Sequence, residues 1–311
     1  MKKSVFARSF AILLISCIFC SILSGCGSSS KSSSSEPPVY SPLRVLVPEA
    51  PGSDTLGSSP LTLDVSNITQ GYFAAQSDSA DLVTSLQITA PTGVLYSYFI
   101  EPGENAVIPF TEGDGDYTVV GYQQIQGDQY AALYSETLTV KLENEFLPFL
   151  YPNQYVNFSP DSEASKLALS MVSEDTSDID ALKQIYNYVV NNLSYDYDKA
   201  ETVETGYLPD VDETLSTKTG ICFDYAALTT AMLRSCDIPC KLQIGYTGDI
   251  KHAWIDVYIR SKGWVTNAVS FNGDSWSLMD PTFDSSADSD DSEAIQDYIG
   301  NADNYTVQFT R

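Results

Sequence analysis

The sequence predicts an α+β domain preceded by an all-β domain, a sandwich of immunoglobulin-like type. Three patterns predict this. Residues 57–145 carry short β-branched or aromatic runs separated by turn residues. From about residue 155 apolar residues recur at helical spacing. Strand-like runs then return from Leu242 onward, and helices followed by an antiparallel run make an α+β domain.

In the first region the strand runs are Leu61 to Val65, Val83 to Thr89, Val94 to Ile100, Asp116 to Tyr122 and Leu138 to Leu142. Pro91-Thr92-Gly93, Pro102-Gly103 and Gly113-Asp114-Gly115 divide them. No catalytic constellation is visible there, so its expected role is a spacer or docking module. Tyr96, Tyr98, Tyr117, Tyr122 and Tyr130 read as half-buried strand residues, with a binding face as the other reading.

In the second region Ser162 to Glu174 reads as a short helix. A second helix has Ser177 as its N-cap and Asp180 three residues on, then Ile179, Leu182, Ile185, Tyr186, Val189 and Val190 on one face. A third starts at Cys222 and must stop before Pro239. Strands follow at Leu242 to Tyr246, Ala253 to Ile259, Trp264 to Ser270 and Trp276 to Met279, with Asn272-Gly273 as a hairpin turn.

The charge balance is strongly acidic, with 41 Asp+Glu against 16 Lys+Arg for a net of −25. Such a surface repels phosphate backbones and anionic headgroups, which argues against a nucleic-acid partner. The N-terminus reads as an address. Met1 to Arg8 is basic, and Phe10 to Leu23 is apolar but short for a transmembrane helix. It ends in Leu23-Ser24-Gly25-Cys26, which resembles the bacterial lipobox and implies lipidation at Cys26. Serines and prolines follow, as expected of a flexible tether. The expected organisation is a signal peptide at 1–25, a tether at 26–56, the β-sandwich at 57–145 and the α+β domain at 155–311. The expected location is extracytoplasmic and lipid-anchored to the cell membrane.

Three cysteines would remain in the folded part: Cys222, Cys236 and Cys240. An odd count leaves at least one free thiol. The chain's one histidine, His252, sits in Lys-His-Ala-Trp, and Asp280 sits before Pro281-Thr282. A thiol, an imidazole and a carboxylate are the parts of an activated nucleophile with its base and orienter. A helix start favours the thiolate, because free N–H groups and the helix dipole stabilise the anion. Asp280 before proline is biased to an extended conformation, suited to orienting an imidazole. No metal or cofactor is implied. Trp254 reads as a packing residue, with a substrate platform as the other reading.

Taken in order, Gly220-Ile221-Cys222-Phe223-Asp224-Tyr225-Ala226, Ile238-Pro239-Cys240-Lys241, His252-Ala253-Trp254 and Trp276-x-x-x-Asp280-Pro281-Thr282 resemble the transglutaminase-like core. The resemblance covers about residues 180 to 283. It implies a papain-like fold with Cys222 as nucleophile, His252 as base and Asp280 as orienter. Cys240-Lys241 departs from the small residue and arginine usual there, and a hairpin appears inserted between Trp264 and Trp276. Tyr195 is the candidate second oxyanion donor, with a packing tyrosine as the other reading. The implied chemistry is acyl transfer from a peptide or isopeptide amide through a thioester, with hydrolysis favoured over transamidation and a peptide or protein as substrate. The alternative is a non-catalytic surface module that binds a peptide or cell-wall partner.

Overall fold

The computed structural model describes residues 44–266, 269–271, 276–278 and 305–311. Eight strands come first: β1 (Thr55–Ser58), β2 (Leu61–Asp64), β3 (Tyr72–Ser77), β4 (Thr84–Thr89), β5 (Leu95–Ile100), β6 (Asn105–Pro109), β7 (Gly115–Gln126) and β8 (Gln129–Val140). They form two antiparallel sheets, ordered β1-β2-β3-β6 and β5-β4-β7-β8. Side chains alternate across a strand, so each strand gives every second residue to the interior. Leu61, Leu63, Phe73 and Ile108 from one sheet share a core with Leu86, Ile88, Tyr96, Tyr98, Tyr117 and Val119 from the other. The three tyrosines in that set are buried, more deeply than the half-buried positions the sequence suggests. β7 and β8 are each twelve residues long, because their outer halves pair with one another beyond the shared core.

The second half contains α1 (Glu163–Met171), α2 (Asp178–Asn192), β9 (Ser194–Tyr195), α3 (Tyr197–Thr202), α4 (Val211–Thr217), β10 (Thr219–Gly220) and α5 (Cys222–Ser235). Then come β11 (Cys240–Thr247), β12 (Ile250–Ile259), β13 (Gly263–Val265), β14 (Val269–Phe271), β15 (Trp276–Leu278) and β16 (Tyr305–Thr310). Ser177 caps α2 as its sequence predicts, its hydroxyl accepting the Asp180 N–H at 3.2 Å. The run expected as one strand from Trp264 to Ser270 is divided between β13, paired with β12, and β14, paired with β15. The turn residues Asn272 and Gly273 lie outside the described residues. Helix α5 is the centre of this half. Every residue from Asp224 to Ser235 is buried, and Ala226, Ala227 and Ala231 leave room for neighbouring elements to approach closely. Among the described residues no helix is long and apolar enough to cross a membrane.

The sheet under α5 has the order β13-β12-β11-β16, with β16 on the edge of β11. This edge pairing depends on Gly245. A Cβ there would lie 1.9 Å from the Thr306 carbonyl oxygen, at the irregularity between Ile244 and Gly245.

Two arginines join the halves. The Arg234 guanidinium is buried and donates to the carbonyls of Cys240 (3.0 and 2.8 Å), Arg311 (2.8 Å) and Tyr151 (2.8 Å). Burial pulls its pKa down to about 10. Arg311 lies among the rings of Tyr155, Tyr96, Tyr98 and Phe309, 4.2 to 5.3 Å from their centroids, and donates to the Tyr98 hydroxyl at 2.9 Å. A cation over aromatic faces is attracted by their quadrupoles, more strongly where water is excluded.

Candidate active site

Cys222 is the first residue of α5 and is half-buried. Its approach is fixed by the short parallel pair β9–β10, which sets Tyr195 opposite Gly220, and the Asp196 N–H donates to the Gly220 carbonyl at 2.9 Å. The N-cap, Ile221, has no side-chain acceptor to offer the helix. Asp224, in the third position, reaches back instead and accepts the Ile221 N–H at 2.8 Å. Gly220 makes this possible, since a Cβ there would lie 2.6 Å from the Asp224 Cβ.

The Asp224 carboxylate is fully buried. Lys199 donates from Nζ to its Oδ2 at 2.8 Å, and the Tyr207 hydroxyl donates to its Oδ1 at 2.5 Å. Lys199 also donates to the Tyr207 oxygen at 2.7 Å. Burial works against the Lys199 ammonium, but the hydrogen bonds to Asp224 and Tyr207 outweigh it and hold its pKa above the ordinary value. Burial, then the bond to Asp224, raises the Tyr207 hydroxyl to about 12, so it stays a neutral donor.

The other two folded cysteines differ. Cys236 and Cys240 are free and fully buried, and burial pushes each thiol up to about 12. Of the three, only Cys222 combines a helix start with access to solvent.

His252 lies near the start of β12, in register with Gly245. Helix α5 spans about 20 Å at 1.5 Å per residue, and the tight turn at Asp237 to Pro239 sends β11 back along it. Cys240 to Gly245 covers about 17 Å of that return. Ala253, Ile255, Val257 and Ile259 of β12 join the core shared with α5. Alternation puts His252, Trp254 and Asp256 on the other face of the strand. There the imidazole stacks near Trp254 (centroids 6.3 Å, 18°) and meets Tyr305 at 6.4 Å. His252 is buried, and Trp254 is fully buried as a packing residue.

The structure gathers Cys222, Tyr195 and Asp224 at one helix start, and sets His252 on the face of β12 opposite the core shared with α5, beside Trp254 and Tyr305. Asp280 and Cys26 lie outside the described residues. Lys199 and Tyr207 are not apparent as site residues from the sequence pattern. One signal was there: Lys199 is the sole basic residue among seven acids between Asp196 and Glu213.

Residues 165–281 match the transglutaminase-like superfamily model, so a transglutaminase-like domain sits within this mixed α/β structure. The chain is similar to the uncharacterized protein YebA of Bacillus subtilis (strain 168), 24% identical over 183 residues, which is 51% of this chain and 25% of YebA. It is also similar to the UPF0252 protein MJ1282 of Methanocaldococcus jannaschii, 40% identical over 62 residues, which is 18% of either chain. The matched stretch therefore spans a quarter or less of these relatives' own length. Among solved structures, a candidate cysteine protease from Cytophaga hutchinsonii aligns with a TM-score of 0.34 at 17% identity, over 68% of this chain and 78% of that one. A candidate protease from Parabacteroides distasonis aligns at 0.29 and 13% identity, over 69% and 62%.

Proposed function

We propose that the protein is a lipid-anchored, extracytoplasmic cysteine peptidase or acyltransferase with Cys222 as nucleophile. The Cys222 thiolate attacks an amide carbonyl carbon, forming a C–S bond. Collapse of the tetrahedral intermediate breaks the C–N bond, and the proton taken up by His252 goes to the leaving amine. Water then resolves the thioester in a peptidase, or an amine does so in a transglutaminase; hydrolysis is the preferred reading. Asp280 orients the imidazole, and the Cys222 N–H and Tyr195 are the candidate oxyanion donors. In this reading residues 57–145 are an immunoglobulin-like spacer or docking module, and Cys26 carries the anchor.

The observation that carries the reading is the contrast among the thiols. Cys222 opens a helix and meets solvent, whereas Cys236 and Cys240 are sealed. The superfamily match across 165–281 supports it. Turnover of peptide amides, measured by amine release, should fall at least about a thousandfold in Cys222→Ala and in His252→Ala. Retained turnover in either variant defeats the mechanism. Palmitate labelling should disappear in Cys26→Ala, and unchanged labelling would remove the anchor from this account.

A further inference from the structure

Asp224 sets an electrostatic problem at the start of α5. Its carboxylate caps the helix, two residues after Cys222, with no exposure to water. The N-terminal end of a helix favours one anion, and a buried carboxylate already there competes with a thiolate for that field. Lys199 answers the problem. Its ammonium sits 2.8 Å from the carboxylate, on an element distant in sequence, and Tyr207 completes the carboxylate's hydrogen bonds without adding charge. Removing a partner from a buried ion pair leaves an uncompensated charge, so the lysine matters more than a surface pair would.

We propose that Asp224, Lys199 and Tyr207 are a positioning unit for Cys222, in which Asp224 fixes the first turn of α5 and Lys199 neutralises it so that the helix end serves the thiolate. The unit does not touch the reacting atoms. The proposal rests on the reading of Cys222 as the nucleophile. The titratable groups on the elements meeting at this end are Asp224 and Tyr225 of α5, Tyr197, Asp198, Lys199 and Glu201 of α3 with its cap Asp196, Tyr207 of the following loop, Asp212 and Glu213 of α4, and Tyr195 of β9.

The test is the pH–rate profile of iodoacetamide alkylation at Cys222 in the full chain, read by mass spectrometry from pH 4 to 10. In the wild type the midpoint should fall well below that of glutathione. Lys199→Met should move the midpoint upward by about one pH unit, which is about tenfold slower alkylation on the acid limb. Lys199→Arg should hold it near the wild-type value. Adding Asp224→Asn to Lys199→Met should return it, because the competing charge is gone. Thermal unfolding of each variant separates stability from charge. A lower melting temperature in Lys199→Met with an unmoved profile means a packing role only and overturns the proposal. A wild-type midpoint at the glutathione value would instead defeat the nucleophile reading, and the proposal with it.

Discussion

The two ends of helix α5 each hold a buried charge and a cysteine, and they treat both differently. At the N-terminal end Asp224 is paired with a cation, and Cys222 beside it meets solvent. At the C-terminal end Arg234 donates to the main-chain oxygens of Cys240, Arg311 and Tyr151, while Cys236 and Cys240 are buried beside it. A charge paired with a counter-charge through an element of its own can set the local field at a site. A charge satisfied by backbone carbonyls ties chain segments together. One helix thus has an end where a buried ion pair adjoins a solvent-accessible thiol and an end where a buried cation ties chain segments together.

The largest expected effect that would break this comparison is at the cohesive end. Arg234→Met removes the donors to three carbonyls from separate segments, at a cost of about 3–5 kcal/mol, read as a lower urea midpoint. Under conditions where the variant is folded, the Cys222 alkylation profile should keep its midpoint. A moved midpoint would mean that the two ends are coupled and the division drawn here is wrong.

A smaller effect sharpens the same end. Asp237 follows α5 in a left-handed conformation, φ 58°, with its side chain 15% exposed. Burial raises its pKa to about 6, and Arg260, 3.5 Å away, offsets only part of that. A carboxyl raised in the folded state favours folding while protonated. That contribution is full below about pH 4 and is lost as pH rises through 6. Asn tolerates the left-handed backbone. Asp237→Asn should therefore match the wild type below about pH 4 and exceed it above pH 6 by about 1–2 kcal/mol, after discount for solvent screening. Parallel stability curves across pH 4 to 8 would show that the carboxyl titrates normally.

Legibility from sequence followed the range of the interaction. The cap at Ser177 and the start of α5 at Cys222 are set within a turn by residues three or four apart, so local pattern places them. The stops of β4 and β5 sit beside turn residues and are equally readable. The outer half of β8 was not, because Gln129 to Ser135, about half of them exposed, become strand by pairing with β7. β16 was not either. It forms on the edge of β11, about sixty residues upstream, and Gly245 admits it by lacking a side chain.

By itself the sequence determined which side chains could do chemistry here. One histidine, a cysteine at a helix start and an aspartate before proline limit the choices, because reactivity belongs to side-chain type and local backbone. The fold decided what surrounds them. Lys199 meets Asp224 across 25 positions, and Arg234 meets Arg311 across 77. A buried charge must find its partner wherever the chain brings one within hydrogen-bond reach, and no local pattern encodes that meeting.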